Sequence, residues 1–298
     1  MAIPYVRQFD FEYGRLDQVS PLIQRVVAEN PGPFTYTGTG VYIVGAGTVA
    51  VLDPGPAIDA HFDALKRALD GREVSHVLVS HGHSDHSPLA QPLADWAGCK
   101  TYALAKAIPT AKGILGSDDD LGFIPDVQIA DGDTISGPGW TLDVIATPGH
   151  TSNHICFGLR EENACFSGDH IMGWSTTVVS PPDGDMEDYL ASLKAVRARK
   201  FDALWPTHGP PVLEDVTGFI DAYIAHRHER EAAILARLEQ GDETIPKMVD
   251  TIYAAVDPSL HPAACHSVLG HIIKLVKERR VTASDDPPSV SSVYRLAD

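Results

Sequence analysis

Apolar residues along this chain fall into short runs punctuated by glycine and proline, a pattern that predicts alternating strands and helices. Up to Ile58 the chain reads as strands and turns. Val41–Gly45 (VYIVG) and Thr48–Leu52 (TVAVL) are β-branched runs around Gly45-Ala46-Gly47, which predicts a hairpin. The second run stops sharply at Asp53-Pro54-Gly55. From Ala57 to Leu69 apolar side chains recur at helical spacing, and Val74–Ser80 (VSHVLVS) then reads as a strand buried on both faces. Strand, helix, strand is the start of a layered α/β architecture, and the loop after such a strand is where open sheets place ligands.

The pattern repeats less regularly. Pro88–Ala97 predicts a short helix and Thr101–Ala103 a strand, followed by a flexible acidic stretch, Gly113–Gly122, whose Asp118-Asp119-Asp120 is expected to border a site. Thr141–Ala146 is a strand running into Thr147-Pro148-Gly149-His150. Ile155–Leu159 and Ala164–Ser167 predict a second hairpin that ends at Gly168-Asp169-His170. Met186–Arg199 has the spacing of an amphipathic helix, and Ala203–Trp205 predicts a short strand leading to Pro206-Thr207-His208-Gly209. Beyond residue 215 the character changes to three helices, Val216–Leu238, Thr244–Ala255 and Pro262–Arg279, with two β-prone ends in Val281–Leu296. The expectation is a domain at 1–215 and a winged-helix-like module at 216–298, with the long helix shared between them.

Composition agrees with a globular α/β protein. The chain has 298 residues, 44% of them hydrophobic, and its 25 Gly and 22 Pro exceed what a helical bundle tolerates. A formal charge of −17 disfavours generic nucleic-acid binding. Acidic groups outnumber basic ones in the last module too, although Lys274, Lys277, Arg279 and Arg280 cluster near one helix end, where they also suit the helix dipole. The four cysteines, Cys99, Cys156, Cys165 and Cys265, lack C-x-x-C spacing and read as small core residues. With no basic leader and no apolar stretch of membrane length, the chain reads as soluble and cytoplasmic.

Chemistry concentrates in His81-Gly82-His83-Ser84-Asp85-His86, where four groups able to ligate a borderline metal fall within six residues of a loop. His150, Asp169 and His208 each follow a predicted strand and complete a set of five imidazoles and two carboxylates. Isolated histidines such as His61, His76, His226 and His228 read instead as surface or structural residues. The set suits two divalent ions, zinc first, with manganese, iron or nickel also compatible.

HGHSDH, TPGH, SGDH and THG, in this order, resemble the metallo-β-lactamase fold superfamily over roughly residues 20–212. The resemblance implies an αββα sandwich in which His81, His83 and His150 hold one metal, Asp85, His86 and His208 hold the other, and Asp169 bridges them. The segments NPGPFTYTGTGVY (Asn30–Tyr42) and WPTHGPPV (Trp205–Val212), with the terminal module, resemble the β-lactamase-like protein 2 group, whose members include endoribonucleases acting on single-stranded RNA. That group commonly has Gly-Thr-Asn-Thr-Tyr where this chain has Gly38-Thr39-Gly40-Val41-Tyr42, so an amide near the site is absent.

A binuclear centre lowers the pKa of a bridging water and supplies hydroxide near neutral pH. Asp169 is then expected to bridge and orient, Asp85 to ligate and accept a hydrogen bond from the hydroxide, and His154 to support the ligands or meet the leaving group, unless it is simply structural. His170 is expected to buttress the site, and Met172 and Trp174 to form a pocket wall. No G-x-S-x-G elbow or P-loop is present. The leading expectation is a hydrolase of small esters, thioesters or lactones. RNA cleavage and weak β-lactam hydrolysis are the alternatives, and a homodimer is compatible with the terminal module.

Overall fold

The computed structural model describes residues 2–104, 120 and 122–297. Seven strands form a first sheet in chain order: β1 (Leu16–Gln18), β2 (Ile23–Val27), β3 (Gly40–Val44), β4 (Thr48–Leu52), β5 (Glu73–Leu78), β6 (Lys100–Ala103) and β7 (Val127–Gln128). β1 to β4 pair antiparallel. From β4 to β7 the pairing is parallel, with α1 (Asp59–Ala68) carrying the chain back over the sheet between β4 and β5 and α2 (Ala90–Ala97) between β5 and β6. The expected hairpin is in place, with Tyr42 opposite Leu52 and Val44 opposite Ala50.

A second sheet runs β12-β11-β10-β9-β8, from β8 (Thr134–Gly137), β9 (Trp140–Ala146), β10 (Ile155–Leu159), β11 (Ala164–Gly168) and β12 (Ala203–Pro206). The hairpin expected from 155 to 167 is β10–β11, while β11 and β12 lie parallel across α3 (Met186–Arg199). Asp185 starts α3 by accepting hydrogen bonds from the Glu187 and Asp188 amides. β9 buries Trp140, Leu142 and Val144 at alternate positions, the period of a strand with one face on the core.

Those side chains meet Ile23, Tyr42, Val44, Leu52 and Leu78 of the first sheet and fill the space between the sheets. On the outside, α1 and α2 bury Leu65, Leu93 and Ala94 against the first sheet. α3 and the long α4 (Val216–Glu239) bury Tyr189, Leu193, Phe219 and Tyr223 against the second. Each large apolar side chain withdrawn from water contributes about 1.5–3 kcal/mol, so the αββα layers hold their strand ends at fixed separation.

The C-terminal module adds α5 (Ile245–Ile252), α6 (His261–Lys277) and a small antiparallel pair, β13 (Val281–Ala283) with β14 (Tyr294–Leu296), giving the winged-helix-like arrangement. Its core is Ile234, Leu238, Met248, Val249, Leu269, Ile272 and Tyr294. The first half of α4 packs against α3 and the second sheet and the second half in this core, so one helix is common to both. Among the described residues no helix is long and apolar enough to cross a membrane.

Of the acidic stretch 113–122, Asp118 and Asp119 lie outside the described residues. Asp120 is described and does border the histidine loop: its amide donates to Gly82 O at 2.9 Å, and its Oδ2 accepts from Ser87 Oγ at 2.9 Å.

Candidate metal centre

Four loops at the carboxyl ends of β5, β9, β11 and β12 bring all seven sequence-predicted residues together at one rim of the sandwich. Two groups result: His81, His83, His150 and Asp169, and beside them Asp85, His86 and His208. Within each, the potential ligand atoms lie within 4.8 Å of one another. The loops turn where the sequence permits. At Gly149 φ is +138°, and an added Cβ would stand 2.3 Å from Tyr189 Cα, so only glycine lets the His150 loop back onto α3.

Hydrogen bonds decide which ring nitrogen each histidine presents. His86 Nδ1 donates to Asp53 Oδ2 at 3.0 Å, His150 Nδ1 to Val178 O at 2.7 Å, and His208 Nδ1 to Gly38 O at 3.2 Å. Ser80 Oγ gives its one proton to Asp53 Oδ2 at 2.7 Å, so it accepts from His81 Nδ1 at 3.0 Å. Four imidazoles therefore turn Nε2 inward. His83 instead presents Nδ1, which lies 2.8 Å from His81 Nε2 and 3.2 Å from His150 Nε2. Asp169 faces both groups: its Oδ1 is 3.6 Å from His86 Nε2 and 3.4 Å from His208 Nε2, and its Oδ2 is 3.7 Å from His150 Nε2.

Electrostatics match that geometry. Burial, with repulsion from His150, pushes His83 down to about 4, and burial among other imidazoles lowers His81 well below its ordinary value. Both rings are neutral with lone pairs available. Burial also opposes charge on His86 and His208, but Asp85 and Asp169, joined by Asp53 at His86, outweigh it and raise both. For Asp85 and Asp169 burial favours the neutral acid, yet His86 and His208 hold both carboxyls well below the usual range. Buried carboxylates beside neutral imidazoles are donors that suit cations. His86 Nε2 and Asp169 Oδ1 are buried without a hydrogen-bond partner, so the donor set fits metal ions at this place.

Asp53 was missed as a functional residue by sequence reasoning, which took Asp-Pro-Gly only as a stop. Its carboxylate accepts from the Ser80 amide at 2.7 Å and Thr207 Oγ1 at 2.9 Å, besides Ser80 Oγ and His86. The available signal was an acid at the buried end of an apolar strand, where a carboxylate must find donors. Next to Gly40, Asn30 Oδ1 accepts from the Thr39 amide at 2.8 Å, and Thr39 Oγ1 donates to Asp85 O at 3.1 Å.

The structure places His154 beneath the centre, fully buried. Its Nε2 accepts from the Asp169 amide at 3.1 Å and its Nδ1 lies 2.8 Å from Thr147 Oγ1. It does not line the cavity, so it is not placed to meet a leaving group. His170 is buried against Tyr189, and burial pushes it down to about 3. A cavity of about 350 Å³ opens over His83, Asp85, His150, Asp169 and His208, and Met172 and Trp174 stand in its wall as expected. Trp174 stacks on Tyr36, with centroids 4.6 Å apart. His226, read from sequence as an isolated structural histidine, also lines this cavity.

Residues 36–208 match the metallo-beta-lactamase superfamily. The chain belongs to that superfamily. As a metallo-beta-lactamase-fold protein carrying this metal-ligating cluster, it is a metal-dependent hydrolase. Residues 244–289 match the beta-lactamase associated winged helix domain. A beta-lactamase-like protein 2 homolog of Caenorhabditis elegans is 34% identical over 268 residues, covering 88% of this chain and 87% of that protein. An atrochrysone carboxyl ACP thioesterase of Paecilomyces divaricatus is 29% identical over 275 residues, covering 88% and 82%. In fold, a beta-lactamase domain protein from Burkholderia ambifaria superposes with a TM-score of 0.80 at 22% identity, covering 95% of this chain and 94% of that one.

Proposed function

We propose that this protein hydrolyses small acyl esters, thioesters or lactones at a binuclear centre. His81, His83 and His150 would hold one ion, Asp85, His86 and His208 the other, and Asp169 would serve both. Zinc suits this nitrogen-rich set. Bound divalent ions supply Lewis acidity, which activates water and polarises a carbonyl. The protein's own groups do the rest. Asp169 turns one oxygen toward each donor group, and His154 fixes its backbone from below. Asp85 is partly open to the cavity and can accept a hydrogen bond from the attacking water. The apolar walls can hold an acyl chain against the cluster.

The observation that carries this reading is the cavity: a pocket of about 350 Å³, walled by Phe34, Met172, Trp174 and Val256, that ends on the metal-ligating cluster. Such a pocket fits an apolar acyl group, and a net charge of −17 opposes a polyanion. The similarity to a protein named an ACP thioesterase points the same way. We treat residues 1–215 as the catalytic domain and 216–298 as a module that closes this pocket.

The test is a paired screen of metal-loaded wild type and Asp169→Ala on thioesters, esters, lactones, β-lactams and unstructured RNA. Acyl substrates are expected to turn over in wild type, with a loss of at least about a thousandfold in the variant. Cleavage confined to RNA, lost in the variant, would overturn the proposal.

A further inference from the structure

Two cationic side chains also line the same cavity, and the carboxylate nearest them in sequence, the exposed Glu229, feels the charge of Arg230 without lining the cavity. Arg227 and Arg230 both reach it from α4, and Tyr5 and Thr176 line it with them. Arg227 is 3% exposed; its Nη2 donates to Thr177 O at 2.5 Å and its guanidinium lies 5.0 Å from the Tyr189 ring centroid, while its Nε is buried with no hydrogen-bond partner. Arg230 lies over Tyr253 at 4.7 Å, and donates to His226 Nε2 at 3.3 Å and Ile252 O at 3.2 Å.

Among the described residues neither guanidinium forms an ion pair with a carboxylate. The Tyr5 phenol is drawn into the same field: burial pushes its ionisation up, and Arg227, a hydrogen bond with Thr176 and Arg230 oppose that.

Burying a guanidinium without a counter-ion is expensive, and the cost is recovered when an anion supplies the missing acceptors. In a chain of charge −17, a local cationic patch is also what lets an anionic ligand enter at all. The rest of the wall is largely apolar, with Val256, Leu260, Ala263, Ala264, Phe34 and Met172.

Resting on the acyl-hydrolase reading, we propose that the substrate carries one anionic group, a carboxylate or a phosphate, separated from the scissile bond by an apolar body. Arg230, with Arg227 and the Tyr5 hydroxyl, recognises that group. A single cationic patch fits one anion; a nucleic-acid strand would need a row of such contacts.

The test measures binding without turnover. Metal-loaded full-length protein is titrated calorimetrically with three non-hydrolysable thioethers: S-octyl-N-acetylcysteamine, its S-(7-carboxyheptyl) counterpart, and S-octyl-phosphopantetheine. Wild type is expected to bind one anionic probe at least about tenfold more tightly than the neutral one. Preference for the carboxyheptyl probe places the charge on the acyl side, and preference for the phosphopantetheine probe places it on the thiol side.

In Arg230→Gln that ratio should fall to near one, and in Arg230→Lys it should be partly retained. Each ratio is internal to one variant, so partial misfolding does not mimic the effect. The proposal is overturned if wild type binds all three probes alike, if Arg230→Gln keeps the preference, or if a short single-stranded oligoribonucleotide displaces neutral and anionic probes equally. Arg230-dependent binding in a protein that hydrolyses no matching thioester would sink the hydrolase reading and leave the anion site standing.

Discussion

Replacing Asp53 by asparagine tests how the centre is organised, because it changes one oxygen to an amide nitrogen and little else. The Ser80 amide is a fixed donor 2.7 Å from Oδ1, so the new amide must keep its oxygen there and place NH2 where Oδ2 was. That position faces Ser80 Oγ, His86 Nδ1 and Thr207 Oγ1. The two hydroxyls can rotate to accept. His86 cannot remain a donor at Nδ1, so its proton moves to Nε2, the nitrogen that faces Asp85 and Asp169. Once Ser80 Oγ accepts from the amide it is free to donate to His81 Nδ1, which reverses that ring as well. Loss of a group that orients a ligating histidine costs about 10- to 100-fold in metal affinity, or about 1.4–2.7 kcal/mol for each ion affected. Thr207→Val removes one contact to the same carboxylate without disturbing either tautomer, and should cost less than about tenfold. Competition with a chromophoric chelator, read with metal quantification, measures both, and a thermal melt followed by circular dichroism checks that the fold persists. If Asp53→Asn binds both ions as wild type does, or loses them no more readily than Thr207→Val, the tautomer argument fails.

Gly149→Ala forces a Cβ to within 2.3 Å of the α3 backbone at positive φ, and should destabilise by about 2–4 kcal/mol in urea titration while displacing His150; a loss under about 0.5 kcal/mol would contradict the packing. Acid stability should fall in two steps. Burial lowers His271 from 6.5 to about 4, so stability present above pH 6.5 is lost as pH falls toward 4, where the unfolded chain alone takes the proton. Burial opposes the charge of Glu231, but His271 and Lys274 outweigh it and lower the group from 4.5 to about 2. A second contribution, on the order of 2–3 kcal/mol, is therefore present above pH 4.5 and lost toward pH 2. Denaturant titrations across pH should show that Glu231→Gln flattens the step below 4.5; an unchanged slope there would exclude Glu231 as its source.

What was legible in the sequence and what was not divides along a physical line. β4, α3 and the hairpin β10–β11 could be read because their apolar spacing is local and strong. β7 and β8 are short and have few buried positions, so their pairing depends on neighbours that no local pattern announces. The seven clustered residues were legible because histidine and aspartate placed after successive strands have few other uses. The tautomers that make them a donor set were not, since they depend on Val178, Gly38 and Ser80, whose roles exist only once distant loops meet.

The same reasoning explains why the cationic patch in the cavity escaped notice. His226-Arg227-His228-Glu229-Arg230-Glu231 reads as the mixed-charge face of a solvated helix, and in sequence that reading is the better one. It fails because α4 is used twice. Its first turns pack on the catalytic layers and its last turns on α5 and α6, so one face of the segment between them, His226, Arg227 and Arg230, lines the cavity with residues 253–267. Arg227 is then buried and Arg230 partly so, while Glu231 on another face is taken up by Lys274 and His271 of α6. The acid finds cationic partners inside the C-terminal module, whereas among the described residues neither guanidinium forms an ion pair with a carboxylate and only carbonyls, His226 and aromatic rings meet them. Cationic side chains without an ion pair, in a largely apolar cavity that also reaches a metal-ligating cluster, are the arrangement an anionic acyl substrate requires.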